Sequence, residues 1–509
     1  MVIAVLAVLA ITFATSSASL RADSRALARV DLPLGGGKIQ SVLVTGGRTA
    51  GLLPIELRGT EIWPRTRIPA GERLTVQVVV KRPGVISWLT GSKEHLRLTV
   101  TAPTAHVLNP YLTLAAGAPL HVRFDQPVQW VTYGPPGAIK RHTLPAPETT
   151  VTLPRGAAAG SELVAAGPRT WERARASTIS WFPAGSQRAS AVASPAPGSQ
   201  IGPSTPVSLT FSEPVSKALG SNLPPVSPAT PGSWHTANSH TITFEPEGYG
   251  YGLGTTVKVP LPSGVTVVGA NGPVASWTVP PGSTLRLQQL LARLGYLPLN
   301  FRGRNVPLTP QAQEQAAVHP PAGTFSWRYP NTPSALQSFW KPGASGTVTR
   351  GAVMQFENDQ GMTPDGVAGA DVWKALINAQ ISGKRSAFGY TFVSVSEGSP
   401  ESQQTWHNGH VVVSGAVNTG IPSAPTALGL YPVFEHSPSV TMSGTNPDGS
   451  HYSDPGVPWT SYFNGGDALH GFLRASYGTA QSLGCVEMPY SEAKDVYQYT
   501  PIGTLVNVT

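Results

Sequence analysis

The 509-residue sequence contains a single cysteine, Cys485, at the end of the run Ser482-Leu483-Gly484-Cys485. Upstream stands an imidazole in the pair His470-Gly471. A thiol and an imidazole form a nucleophile and its base: the thiolate is the reactive form, and a neighbouring imidazolium or a set of backbone N–H groups lowers its pKa toward neutrality. Gly484 permits a tight turn and close approach of a substrate carbonyl. The N–H groups of Gly484 and Cys485 are candidate oxyanion donors, and removing one such donor typically costs about 10²–10³ in rate. A carbonyl at Gly471 suits a contact that holds the His470 ring in the useful tautomer. Taken singly, a lone cysteine reads as a small buried hydrophobe; the spacing and flanking residues carry the catalytic reading. Trp459, Tyr462 and Phe463 precede His470 as cleft walls or core residues. His407, His410, His436 and His451 come with no His-Glu-x-x-His helix and no cysteine pair, so no metal and no cofactor is expected.

Strand-like elements must position these groups. Tyr390–Val395 and Gln404–Val413 carry strand-like apolar residues, and Asn408-Gly409 within the second stretch is a hairpin signal because both residues accept positive φ. Upstream the texture is helical. Leu285, Leu287, Leu290, Leu291 and Leu294 recur at helical spacing, with Ser283 or Thr284 as N-cap and Gly295 as C-cap. Further helices are predicted over 349–359 and 370–379. From about Val30 to Pro280 short β-branched runs alternate with Gly/Pro turns, a sandwich-like spacing. Pro119, Phe124, Pro127 and Val128 match Pro206, Phe211, Pro214 and Val215 at a constant offset. A duplicated immunoglobulin-like module follows, each copy ending in a Pro-Val suited to a strand edge or bulge.

The stretch 388–509 resembles the catalytic domain of the L,D-transpeptidase family. The resemblance rests on His470-Gly471 followed by Ser482-Leu483-Gly484-Cys485, and on Asn408-Gly409, Asn418-Thr419-Gly420 and Pro425-Thr426-Ala427-Leu428-Gly429. It implies a mostly β domain in which Cys485 attacks a peptidoglycan tetrapeptide stem with loss of the terminal D-Ala. Leu483 stands where many members have His, which leaves His470 as the only base. Glu487 stands where Arg or Asn is common, so recognition of the stem's carboxylate or amide is expected to differ. Residues 283–380 resemble the three-helix peptidoglycan-binding domain, interrupted by an insertion at about 298–345. Residues 190–280 resemble bacterial Ig-like domains.

The whole reads as a multidomain, mainly β chain. Residues 1–29 are a signal peptide or membrane anchor plus linker, 30–185 an Ig-like β region and 190–280 a second Ig-like domain. Residues 283–380 are a helical peptidoglycan-binding-like domain, and 388–509 the catalytic domain. The run Met1–Leu20 carries no charged side chain before Arg21, which favours export to the cell envelope. Lys and Arg number 35 against 27 Asp and Glu, a net charge of +8. No basic run concentrates that charge, so nucleic acid is not an expected partner. The expected partners are stem peptides and glycan, with covalent inhibition by carbapenems. The expected sites are Cys485, His470 and Gly471 in catalysis, Gly484 and Ser482 in the oxyanion turn, and Trp459, Tyr462 and Glu487 in substrate binding. The acceptor is left open: a stem amine gives a transpeptidase, water an L,D-carboxypeptidase, and a protein amine protein-to-wall attachment. A wall-binding scaffold without activity is the alternative of another class.

Overall fold

The computed structural model describes residues 17–32, 37–47, 51–82, 91–135, 137–184 and 189–509. The apolar run over 1–16, read above as leader or anchor, lies outside them. Among the described residues no helix is long and apolar enough to cross a membrane.

The chain is mainly β. Residues expected as linker already belong to a sheet: Ser19–Ala22 pairs antiparallel with Ala28–Asp31, and Ala26, Leu27 and Ala28 are buried. The turn between them closes on Asp23, whose Oδ1 accepts from the N–H groups of Arg25 at 2.7 Å and Ala26 at 2.8 Å. An aspartate that bonds the backbone two residues on makes its own turn. Two four-stranded sheets then share a core of Leu27, Val30, Val44, Ile62, Leu74, Val76 and Val78. The strand Arg73–Lys81 alternates buried and outward residues along its length, the period of a half-buried strand. A separate core, with Leu120, Val122, Val131, Ile179 and Trp181, lies under the five-stranded sheet that follows. The region 30–185 therefore holds two cores, which uniform strand texture cannot distinguish.

The matched repeat diverges where it was expected to agree. Val128 sits at register shifts inside the long strand Leu120–Gly134, as a bulged Pro-Val should. Pro214 instead caps the short helix Val215–Leu219 with φ −51°. Both uses suit a ring that fixes φ and lacks an N–H.

The helix Thr284–Leu294 runs from Ser283 to a left-handed Gly295 at φ 91°, as its residues predict. It is buried on more than its leucine face, because Arg286, Gln288 and Gln289 are buried as well. The 298–345 insertion covers that polar side with a helix, Pro310–Val318, and a hairpin, Leu299–Gly303 with Gly323–Trp327. Gln288 Nε2 donates to Ala344 O and Thr349 Oγ1, both at 3.0 Å, while its Oε1 accepts from Gly343 N at 2.7 Å. Arg286 Nη2 donates to Gln313 Oε1 at 2.7 Å. The helices Thr347–Asp359 and Ala370–Ser382 complete the module.

The C-terminal part has two sheets. In the first the order is His410–Ala416, Ser402–His407, Thr391–Ser396, Leu505–Val508, Gly429–Pro432. Thr391–Ser396 and Leu505–Val508 pair in parallel, Phe392 opposite Leu505. The second runs Glu435–Thr445, His451–Asn464, Asp467–Gly471, Val486–Met488. Val393, Val433, Phe463, Leu469, Val486, Met488 and Val506 fill the core between them. The helical module is joined to this domain. Tyr329 Oη donates to Asn408 Oδ1 at 2.9 Å, Asn331 donates to the Gly409 carbonyl, and Tyr329 packs edge-on to Trp406 at 5.4 Å. One apolar cluster runs from Ala191 through Leu290 and Phe356 to Phe392, Trp406 and Leu505.

Candidate active site

His470 and Cys485 are placed by a parallel strand pair. Asp467–Gly471 runs beside Val486–Met488 with His470 opposite Glu487, so Cys485 enters that strand one residue early. His470 is 2% exposed. Its Nδ1 lies 3.1 Å from Gly471 O, which fixes a proton on Nδ1 and leaves Nε2 as the basic nitrogen. Both side chains line a cleft of about 710 Å³.

The cysteine turn is held from within. Ser482 Oγ donates to Cys485 O at 2.6 Å and accepts from Gly484 N at 3.2 Å. The Gly484 N–H, expected as an oxyanion donor, is thus engaged by Ser482, and Cys485 N–H remains as the candidate donor at the turn. Gly484 has φ 113°, and a Cβ there would lie 2.5 Å from Asp467 Oδ1. The Asn-Thr-Gly segment braces the turn. Asn418 exchanges backbone bonds with Glu487, Ser482 N donates to Thr419 O at 2.9 Å, and Gly420 N donates to Thr426 Oγ1 at 2.9 Å.

Electrostatics depart from the sequence expectation. Burial pushes the Cys485 thiol up to about 12; the Ala468 N–H opposes this, and the Asp467 and Glu487 carboxylates add to it. The thiol donates to Gly466 O at 3.6 Å. Burial likewise holds His470 below the ordinary imidazole value, against the Gly471 bond and the Glu487 charge. Both shifts favour the neutral forms, a protonated thiol and an uncharged imidazole. Desolvation outweighs the local charges, because charged forms of both groups lose their water on burial.

The other expected residues are divided. Tyr462 and Glu487 line the cleft. Trp459 packs edge-on to Tyr490 at 5.7 Å and against the domain core, and Phe463 is buried. Sequence reasoning missed Tyr452, Asp454, Asp467 and Arg474, which line the same cleft. Asp467 accepts from Ala427 N at 3.1 Å and Asn464 Nδ2 at 3.2 Å. A signal for Arg474 existed in Glu487, an acid two residues after the cysteine and therefore in need of a counter-charge. Of the four histidines set aside, His407 bonds Thr391 Oγ1 at 2.9 Å, and His436 stacks on Tyr497 at 3.7 Å.

A thiol and a tautomer-locked imidazole opening on one cleft of a two-sheet domain form a candidate nucleophile and base. Residues 393–508 match the family model of the L,D-transpeptidase catalytic domain, and residues 334–376 match that of peptidoglycan binding domains. The chain thus carries both domains, though the helix Thr284–Leu294 precedes the second match. Among solved structures, the catalytic domain of the E. faecium L,D-transpeptidase is 26% identical, with 23% of this chain and 96% of that chain covered and a TM-score of 0.22. The L,D-transpeptidase from Mycobacterium smegmatis is 13% identical over 62% of this chain and 96% of that one, TM-score 0.21. L,D-transpeptidase 3 from Mycobacterium tuberculosis, in complex with a faropenem-derived adduct, is 14% identical over 62% and 96%, TM-score 0.21. No curated protein matches.

Proposed function

We propose that the C-terminal domain is an exported L,D-transpeptidase that remodels peptidoglycan through a thioester on Cys485. The observation that carries this reading is the opening of Cys485 and the Gly471-locked His470 onto one cleft inside the matched domain. As the Cys485 sulfur attacks the carbonyl of the diamino acid at the third stem position, its proton passes to His470 Nε2. The oxyanion is met by the Cys485 N–H. The C–N bond to D-Ala breaks, and His470 returns the proton to the leaving amine. An amine of a neighbouring stem then attacks the thioester and gives its proton to His470, and the sulfur leaves and is reprotonated. Because burial favours the neutral forms of thiol and imidazole, charge separates during attack, and the Cys485 N–H is already in place to meet the oxyanion.

The helical module supports the polymer part of the reading. Its loop Asp365–Gly369 lies between two depressions of about 630 and 410 Å³, sized for a sugar or a short peptide. The test is the intact mass of the protein after a carbapenem, beside D-Ala release from a soluble tetrapeptide. One covalent adduct and released D-Ala are expected; neither would leave a wall-binding scaffold. Product masses identify the acceptor, and hydrolysed stem alone would make the enzyme a carboxypeptidase.

A further inference from the structure

Glu487 follows Cys485 by two residues, and its carboxylate is spanned by one guanidinium. Arg474 Nε donates to Glu487 Oε2 and Nη2 to Oε1, both at 2.7 Å. Arg474 Nη2 also reaches Gln481 O at 3.4 Å, and the guanidinium lies over the Phe472 ring at 4.7 Å. One edge and one face of the group are thus fixed. Nη1 makes no hydrogen bond among the described residues, and the Arg474 side chain is 31% exposed while that of Glu487 is 5% exposed. A bidentate clamp of this kind pre-orients the planar fork, so less freedom is lost when the open edge takes an anion.

The remaining charges of the cleft leave an anion one place to go. Asp467 is engaged by Ala427 and Asn464, and Asp454 is an exposed carboxylate on the facing hairpin. Arg474 is the only Lys or Arg among the lining residues. Cys485, Arg474 and Glu487 line the same cleft, so one extended ligand can meet the nucleophile and the clamp together.

We propose that Arg474, held by Glu487, determines donor specificity by taking the terminal carboxylate of the stem on its Nη1 edge. This rests on the donor-stem reading above. Binding and chemistry separate the two. Affinity for a tetrapeptide ending in D-Ala carboxylate, and for the same peptide ending in carboxamide, is measured by calorimetry on Cys485→Ala protein with and without Arg474→Gln. Arg474→Gln should weaken the carboxylate peptide by about tenfold to a hundredfold, the range of a charge-assisted hydrogen bond, and leave the carboxamide peptide unchanged. Arg474→Lys, which keeps the charge and loses the fork, should fall between, with an unchanged melting temperature. Equal weakening of both peptides, or none, overturns the proposal. Carboxylate selectivity without D-Ala release from the Cys485 protein would keep the Arg474 site and reject the transpeptidase reading.

Discussion

At the scale of single residues, burial sets the character of the nucleophile. With Cys485 pushed up to about 12, the thiol is protonated at neutral pH, and alkylation of the resting protein by iodoacetamide should climb steadily from pH 7 to 10. A plateau near neutrality would instead reveal a thiolate–imidazolium pair. Cys485→Ser should abolish the carbapenem adduct in intact-mass spectra without moving the melting temperature, since the swap is nearly isosteric and an alkoxide is far harder to generate. Adduct formation by the serine protein would remove Cys485 from the mechanism. The thiol and its base were legible because they lie on one short stretch with distinctive neighbours. Arg474, Asp467 and Asp454 were not, because a cleft wall is defined by which strands lie side by side. The engagement of Gly484 N–H by Ser482 was equally hidden, since it depends on a side-chain rotamer.

Elements show how far local signals carry. Asn408 and Gly409 adopt φ 47° and 96°, the two positive values expected of the hairpin turn. Their sequence gave no hint of what holds them. Asn408 Oδ1 accepts from Tyr390 N at 3.0 Å and from Tyr329 Oη, so Asn408→Ala leaves both donors unpaired and places an alanine at positive φ. A loss of about 2–4 kcal/mol in a denaturant titration is expected; a loss under about 0.5 kcal/mol would show that water replaces both bonds. The helix Thr284–Leu294 was legible from its leucines and caps. Burial of its polar face was not, because the covering insertion has weak periodicity of its own. That cover includes Glu314, 3% exposed and pushed by burial up to about 8 from an ordinary 4.5. The folded state holds the proton that the unfolded chain releases above about 4.5, so this stabilisation is full below that pH and is lost as pH rises through about 8. The melting temperature should therefore fall between pH 5 and 8.5, and Glu314→Gln should flatten the fall. An identical pH dependence in the variant would show that Glu314 is not the group responsible.

Across the molecule, the apolar cluster from Ala191 to Leu505 joins parts that the sequence presents as modules in series. Composition shifts mark where texture changes, and they do not reveal which surfaces are shared. A chain beginning at residue 384 would uncover Phe392, Trp406 and Leu505, each worth about 1.5–3 kcal/mol of burial. It should melt well below a chain beginning at residue 189, and equal melting temperatures would show that the catalytic domain needs no cover. The helical module is accordingly part of the framework of the catalytic-type domain. The position of Leu505–Val508 inside its sheet, between Thr391–Ser396 and Gly429–Pro432, bears on the order of assembly. Phe392 must wait for Leu505 before its strand is paired on both sides, and contacts so distant in sequence close slowly. During synthesis the thiol of Cys485 is therefore made before the sheet that supports its cleft can close, so a translation product stopped short of residue 505 would carry the nucleophile without a finished fold around it.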